Sequence, residues 1–162
     1  MKVLVAVPER CTGCKRCELV CSLVHFKTMS PSKSAIHVVR VHHALIDAPV
    51  FCNQCGLCID VCPVGALSRD KKTGAVVVDY GLCTGCESCV SVCPYGAITV
   101  DRALMKAIKC DLCGGDPKCV KICPEGVLQY VDANKASYYK RLTYASLQRV
   151  ELKPLIPYPR KG

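Results

Sequence analysis

The sequence predicts an α+β fold of two similar modules, one inserted within the other, followed by a C-terminal docking tail. Three observations carry this. Sixteen cysteines in 162 residues fall into four groups of four. Three groups run into Cys-Pro-x-Gly, at Cys62, Cys93 and Cys123, where proline ends a short helix and glycine permits a reversal. Short stretches of alternating or β-branched residues lie between the groups, at strand length.

In chain order, Val3 to Val7 reads as a strand stopped by Pro8. The first group, Cys11, Cys14, Cys17 and Cys21, continues into Ser22-Leu23 without a proline, so its helix is expected to run on toward Phe26. The link from Met29 to Pro49 carries one alternating stretch, Ile36 to Val41, read as a hairpin or edge strand. The second group, Cys52, Cys55, Cys58 and Cys62, leads into a strand at Ala66 to Ser68. Val76 to Asp79 is the strand entering the third group, Cys83, Cys86, Cys89 and Cys93, and Ala97 to Val100 leaves it. The fourth group, Cys110, Cys113, Cys119 and Cys123, widens its second gap to five residues, Gly114 to Lys118, and Leu128 to Val131 follows as a strand. These repeats divide the core, residues 1–131, into an inner module, 50–101, set between halves 1–27 and 102–131. The tail, 132–162, reads as a helix from Lys135 to Val150, with Tyr138, Leu142 and Ala145 on one face, and a proline-rich extended arm.

The first three groups share the spacing Cys-x2-Cys-x2-Cys-x3-Cys. This is the bacterial ferredoxin run, whose thiolates hold a [4Fe–4S] cubane. Cysteines at i, i+3 and i+6 of a curled loop turn three thiolates onto one small core, and Gly13, Gly56, Gly85 and Gly114 lie inside these loops, where permissive backbone helps. The fourth cysteine sits one helical turn further on and points toward a different cluster, as in two-cluster ferredoxins. The expectation is four [4Fe–4S] clusters on crossed ligand sets. Cys11, Cys14, Cys17 and Cys123 form the first set, and Cys21, Cys110, Cys113 and Cys119 the second. Cys52, Cys55, Cys58 and Cys93 form the third, and Cys62, Cys83, Cys86 and Cys89 the fourth. Sets closed within each group are the alternative. Zinc ribbons use pairs of Cys-x2-Cys knuckles, without a third cysteine at the same interval and a following Cys-Pro. Disulfides suit a secreted chain, and Val3 to Val7 is too short for a secretory core.

Charge points away from nucleic acid. The formal net charge is +9, counting cysteine as neutral. Each oxidised core contributes +2 and its four thiolates −4, so four loaded sites bring the protein to about +1. Lys15, Arg16, Lys109 and Lys118, beside the loops, are candidate charges for tuning cluster potential. With all sixteen cysteines spent as ligands, no thiol is left as a nucleophile, so no catalytic residue is expected. The histidines, His25, His37, His42 and His43, read as surface or interface residues. No apolar run approaches the roughly 20 residues of a membrane helix, so direct membrane insertion is not expected.

The four-group order with its enlarged last group resembles the four-cluster iron–sulfur subunits of the dimethyl sulfoxide reductase type, over residues 1 to about 131. The compact opening from Cys11 to Ser22 looks closer to the small subunits that accompany tungsten-dependent aldehyde oxidoreductases, class II benzoyl-CoA reductases and carbon monoxide dehydrogenases. The resemblance implies a cytoplasmic electron-transfer subunit of an anaerobic oxidoreductase, itself non-catalytic. It implies docking on a large catalytic subunit, foremost a tungsten-dependent aldehyde oxidoreductase, with a further redox subunit or ferredoxin as second partner. Carbon monoxide dehydrogenase, hydrogenase or benzoyl-CoA reductase are other candidate partners, and a free polyferredoxin shuttle is the rival. Five of the seven tyrosines lie in or beside the tail, a residue type favoured at interfaces, which marks the tail as the docking element.

Overall fold

Residues 1–42 and 46–152 are described by the structure, a computed structural model. Among the described residues, eight short strands and five α-helices follow one another in a repeating order. Strand β1 (Lys2–Ala6) leads to the first cysteine loop and helix α1 (Arg16–Phe26), and β2 (Ile36–Val41) leaves it. Strand β3 (Ile46–Phe51) enters the second loop, α2 (Leu57–Asp60) follows, and β4 (Leu67–Arg69) leaves. Strand β5 (Val76–Val78), α3 (Ser88–Ser91) and β6 (Ile98–Asp101) frame the third loop. Strand β7 (Lys106–Lys109), α4 (Lys118–Ile122) and β8 (Leu128–Asp132) frame the fourth, and α5 (Ala133–Leu152) ends the described chain.

Each cysteine group therefore sits between an entering and a leaving strand. The leaving strand of one unit pairs antiparallel with the entering strand of the next: β2 with β3, β4 with β5, β6 with β7. The last leaving strand, β8, returns to the first, β1, with Leu4 opposite Tyr130. Four units thus close into a ring. The borders expected at 50 and 101 fall at or inside hairpins: β3 ends at Phe51, and β6 is bound to β7 across the second border. The helices pair differently, α1 against α4 and α2 against α3.

Two-stranded ribbons are marginal alone, so their stability comes from what they cover. Leu4, Ile36, Ala75, Leu112, Cys119 and Leu128 form one core, beside α1 and α4. Cys58, Leu67, Val76, Cys89, Ile98 and Ala107 form the other, beside α2 and α3. Ala75 and Val76, both fully buried, belong to different cores. Successive residues of an extended chain face opposite ways, which makes the start of β5 the wall between them.

Helix α1 does run to Phe26, where Lys27 turns left-handed and gives its N–H to Leu23 O at 3.0 Å. Strands β2 and β3 form the hairpin expected in the link, with its second strand running to Phe51, and β7 adds a strand that no alternating stretch marks. Pro49 and Asp47 argue against a strand, and yet Pro49 is accommodated at the edge of the β2–β3 ribbon. Val38, opposite Pro49, donates its N–H to the buried Glu18 carboxylate at 2.5 Å. Strand β7 is only four residues with a lysine at each end, too short and too charged to stand out. Helix α5 starts against β1 and β8, with Ala133 N–H on Met1 O at 3.0 Å and Ala136 buried. Tyr138 and Tyr144 are exposed. Most of the proline-rich arm, from 153 on, lies outside the described residues, as does His43.

Candidate metal centres

All four cysteine loops share one backbone device. Counting from the first cysteine, the third and fifth residues are left-handed in every loop. They are Gly13 and Lys15 (φ 69° and 57°), Gln54 and Gly56 (59° and 98°), Gly85 and Glu87 (71° and 65°), and Leu112 and Gly114 (59° and 63°). Two left-handed residues flanking the second cysteine curl the chain so that three thiols share one centre. Each loop has glycine at only one of these two positions, and the other residue bears the cost, about 1–2 kcal/mol. In the first three loops the helix begins one residue before the third cysteine, as it does at Lys118 once the inserted residues have passed.

The fourth cysteine of a group lies away from its own first three. Cys11, Cys14, Cys17 and Cys123 line one cavity, with Val38, Val127 and Leu128 as apolar walls. Cys62, Cys83, Cys86 and Cys89 line a second, with Leu67 and Val100. Cys21, Cys110, Cys113 and Cys119 line a third, with Leu4 and Ile36. In the remaining set, Cys52 and Cys55 lie close enough to Cys58 to raise its pKa, and Cys93 packs against the core that contains Cys58. Electrostatic influences between sets run from each to the next. Cys17 adds to the raised pKa of Cys119, Cys52 to that of Cys110, and Cys58 to that of Cys89.

The three cavities fit iron–sulfur cubanes: four thiols each, apolar walls, and amides aimed at sulfur. Ala66 N–H donates to Cys62 Sγ at 3.3 Å and Ala97 N–H to Cys93 Sγ at 3.4 Å. In both, the donor is the alanine of Cys-Pro-x-Gly-Ala, so the reversal at Gly65 and Gly96 (φ 62° and 59°) returns an amide to the sulfur it has just left. Gln54 N–H donates to Cys52 Sγ at 3.3 Å and Ala107 N–H to Cys83 Sγ at 3.4 Å. Cys21, which lacks the motif, takes its amide from Ala35 at 3.4 Å.

Burial dominates the protonation of these thiols. It pushes Cys17 up to about 12, with the Glu18 carboxylate adding to the rise. It pushes Cys110 up to about 12, and Cys119 is raised by burial and by Cys110 beside it. Exposed Cys86 goes the other way, its pKa lowered by a hydrogen bond with the Ser88 hydroxyl at 3.5 Å. Such thiols lose their protons when a metal takes their place.

Several residues that hold these loops gave no sequence signal. Arg69 on β4 donates to Gln54 O (3.2 Å), Cys55 O (3.3 Å) and Gly74 O (2.8 Å), clamping the second loop. Lys106 Nζ donates to Cys83 O at 2.6 Å in the third. Asp47 on β3 stands against Gly13, where an added Cβ would lie 2.6 Å from its Oδ2, and its carboxyl is held below the usual range by Arg40. His25 is exposed, in keeping with the surface reading, and its Nε2 also lies 3.6 Å from Cys113 Sγ and 3.5 Å from Asp111 Oδ1. A signal existed there, because His25 lies one turn beyond Cys21 on a helix expected to continue. Of the four candidate tuning charges, Lys15 and Arg16 are exposed, Lys118 is paired with Asp116 at 2.5 Å, and Lys109 is buried.

Two families, each described as a 4Fe-4S dicluster domain, match residues 44–133 and 10–67. The polyferredoxin-like subunit of aliphatic sulfonate oxidoreductase from Pyrococcus furiosus is 42% identical over 78 residues, 47% of this chain and 44% of that one. This chain thus spans less than half the length of that relative. Electron transport protein HydN of Escherichia coli K12 is 35% identical over 133 residues, covering 68% of this chain and 75% of its own. A chain of the BamBC active-site complex of benzoyl coenzyme A reductase with benzoyl-CoA aligns over 93% of this chain and 97% of its own, at 23% identity and a TM-score of 0.46.

Proposed function

This chain belongs to the 4Fe-4S dicluster ferredoxin family, and from that premise we propose that it is an electron-relay subunit with four [4Fe–4S] clusters on the crossed cysteine sets. The observation that carries the reading is the sharing of three cavities, each by three cysteines of one group and one of another. A bound [4Fe–4S] cluster takes up and releases single electrons. The chain's own part is to fix four such groups in a row, keep water off them with the two cores, and aim amides at the sulfurs.

The nested division of the core, 50–101 between 1–27 and 102–131, is proposed as a division of ligand sets. It is supported by the pairing of α1 with α4 and α2 with α3. We read the row as a cytoplasmic wire between a large catalytic oxidoreductase subunit and a second redox partner, with α5 and the arm beyond it as the docking element. Exposed Tyr138 and Tyr144 on α5 support that role. The Pyrococcus relative's name, as a polyferredoxin-like subunit, favours a subunit over a free shuttle. The partner proposed first is a tungsten-dependent aldehyde oxidoreductase, on the compact first group. A sulfonate oxidoreductase is the second, on that relative's name. Among the described residues no helix is long and apolar enough to cross a membrane.

The test is anaerobic native purification, with iron, sulfide, zinc, tungsten and molybdenum counted and each co-purifying polypeptide identified. About sixteen irons on this chain beside a large tungsten-bearing subunit is the expected result. Sixteen irons on a lone chain would favour the shuttle, and zinc without sulfide would overturn the cluster reading. Deleting residues 134–162 should leave the clusters in place and abolish co-purification.

A further inference from the structure

The second and third cysteine sets meet around one buried side chain. Lys109, at the end of β7, is 6% exposed. Its Nζ donates to Val76 O at 2.7 Å, Cys110 O at 2.9 Å and Gln54 Oε1 at 3.0 Å. Three acceptors require three N–H bonds, which the ammonium has and the neutral amine lacks. All three acceptors are neutral, and among the described residues no carboxylate forms an ion pair with it. Gln54 completes the junction. It belongs to the second loop, where its N–H meets Cys52 Sγ, and its Nε2 crosses to Cys110 O at 2.9 Å. The ammonium is thus fixed where the loop of Cys52, Cys55 and Cys58 touches the start of the loop of Cys110.

We propose that Lys109 is a positioning residue for charge: a buried cation shared by the two middle clusters of the row, raising both reduction potentials together. This rests on the four-cluster relay reading. Adding an electron adds negative charge, and a fixed cation in a low-dielectric site favours the reduced form of whatever lies beside it. Sharing one cation shifts both sides of this junction in the same direction, so the step between them is preserved while both are raised. Lys15 and Arg16, in water, lack this leverage.

The test uses the full cluster-loaded chain, with iron and sulfide counted first, then each cluster's midpoint potential by redox titration followed by electron paramagnetic resonance. In Lys109→Met, two of four potentials should fall, each by at least a tenfold change in reduction equilibrium, about 59 mV for one electron, with the other two unmoved. Gln54→Glu, which sets a countercharge on the ammonium without removing it, should lower the same two. A purely structural role predicts the opposite sign, because loosening admits water, which favours the more negative reduced cluster. Unchanged or raised potentials in a chain with its full iron and sulfide would overturn the proposal while leaving the relay reading intact. Loss of clusters from both variants would assign Lys109 to structure alone. An unmodified chain that never holds four clusters would fail the relay reading instead.

Discussion

Gly85→Ala should damage the third loop far more than the same change at Gly96, although both glycines are left-handed, at φ 71° and 59°. The backbone term is common to both, about 1–2 kcal/mol for placing an L-residue in this region. The difference lies in what the new methyl meets. At Gly96 nothing stands within 4 Å. At Gly85 the Cβ would lie 2.7 Å from Met105 O and 2.8 Å from Met105 C, which are backbone atoms in the turn between β6 and β7. That turn cannot retreat alone. Lys106 Nζ and Ala107 N–H, the next two residues, both bind Cys83, at its carbonyl and its sulfur. Relieving the overlap adds about 1–3 kcal/mol, and it moves the first thiol of the loop. Taking the extra cost as about 2 kcal/mol, the Gly85 variant should lose its clusters roughly 4–8 °C below the Gly96 variant. The assay is thermal bleaching of cluster absorbance under argon, both variants side by side at matched iron content. Equal bleaching temperatures would refute the close-approach argument and leave backbone conformation as the whole effect.

The metal chemistry was legible because it rests on thiol spacing. The strands at Val3, Ile36, Val76 and Leu128 were legible because β-branched or aromatic residues gather there at strand length. The ring was not. It depends on β3 and β7, and β3 contains Asp47 and Pro49, whose local preferences oppose a strand and are overridden by pairing with β2. The glycines marked the loops and concealed their rule. Lys15, Gln54, Glu87 and Leu112 adopt the same left-handed geometry with no composition to announce it. Gln54 and Arg69 act on carbonyls, through contacts that arise only once the chain has folded back on itself, Gln54 reaching as far as Cys110. No spacing rule reaches across such a separation.

Lys15→Gly should raise the bleaching temperature by roughly 1–4 °C, since this exposed residue bears left-handed strain, φ 57°, of about 1–2 kcal/mol, about half of it offset by glycine's greater entropy loss on folding. Arg69→Ala should release about a quarter of the iron to a chelator ahead of the rest, because the second loop loses its clamp on Gln54 O and Cys55 O. Iron counted against chelation time checks this. The raised thiols set a pH dependence in the metal-free chain. Burial pushes the folded Cys17 and Cys110 thiols up to about 12 from the ordinary value of 9.0, so the stability they contribute is complete below about pH 9 and is lost as pH rises toward 12. Urea midpoints of the metal-free protein should fall between pH 8 and 10. Over that range iron–sulfur reconstitution should become more favourable, because ligation must displace those protons.

The most direct measurement of the central claim is a reductive coulometric titration of the purified, cluster-loaded chain under argon. Four one-electron groups in one row predict uptake of about four electrons per chain, with magnetic coupling between neighbouring reduced clusters in the resonance spectrum. Uptake of about two electrons per chain, or four uncoupled signals, would contradict it.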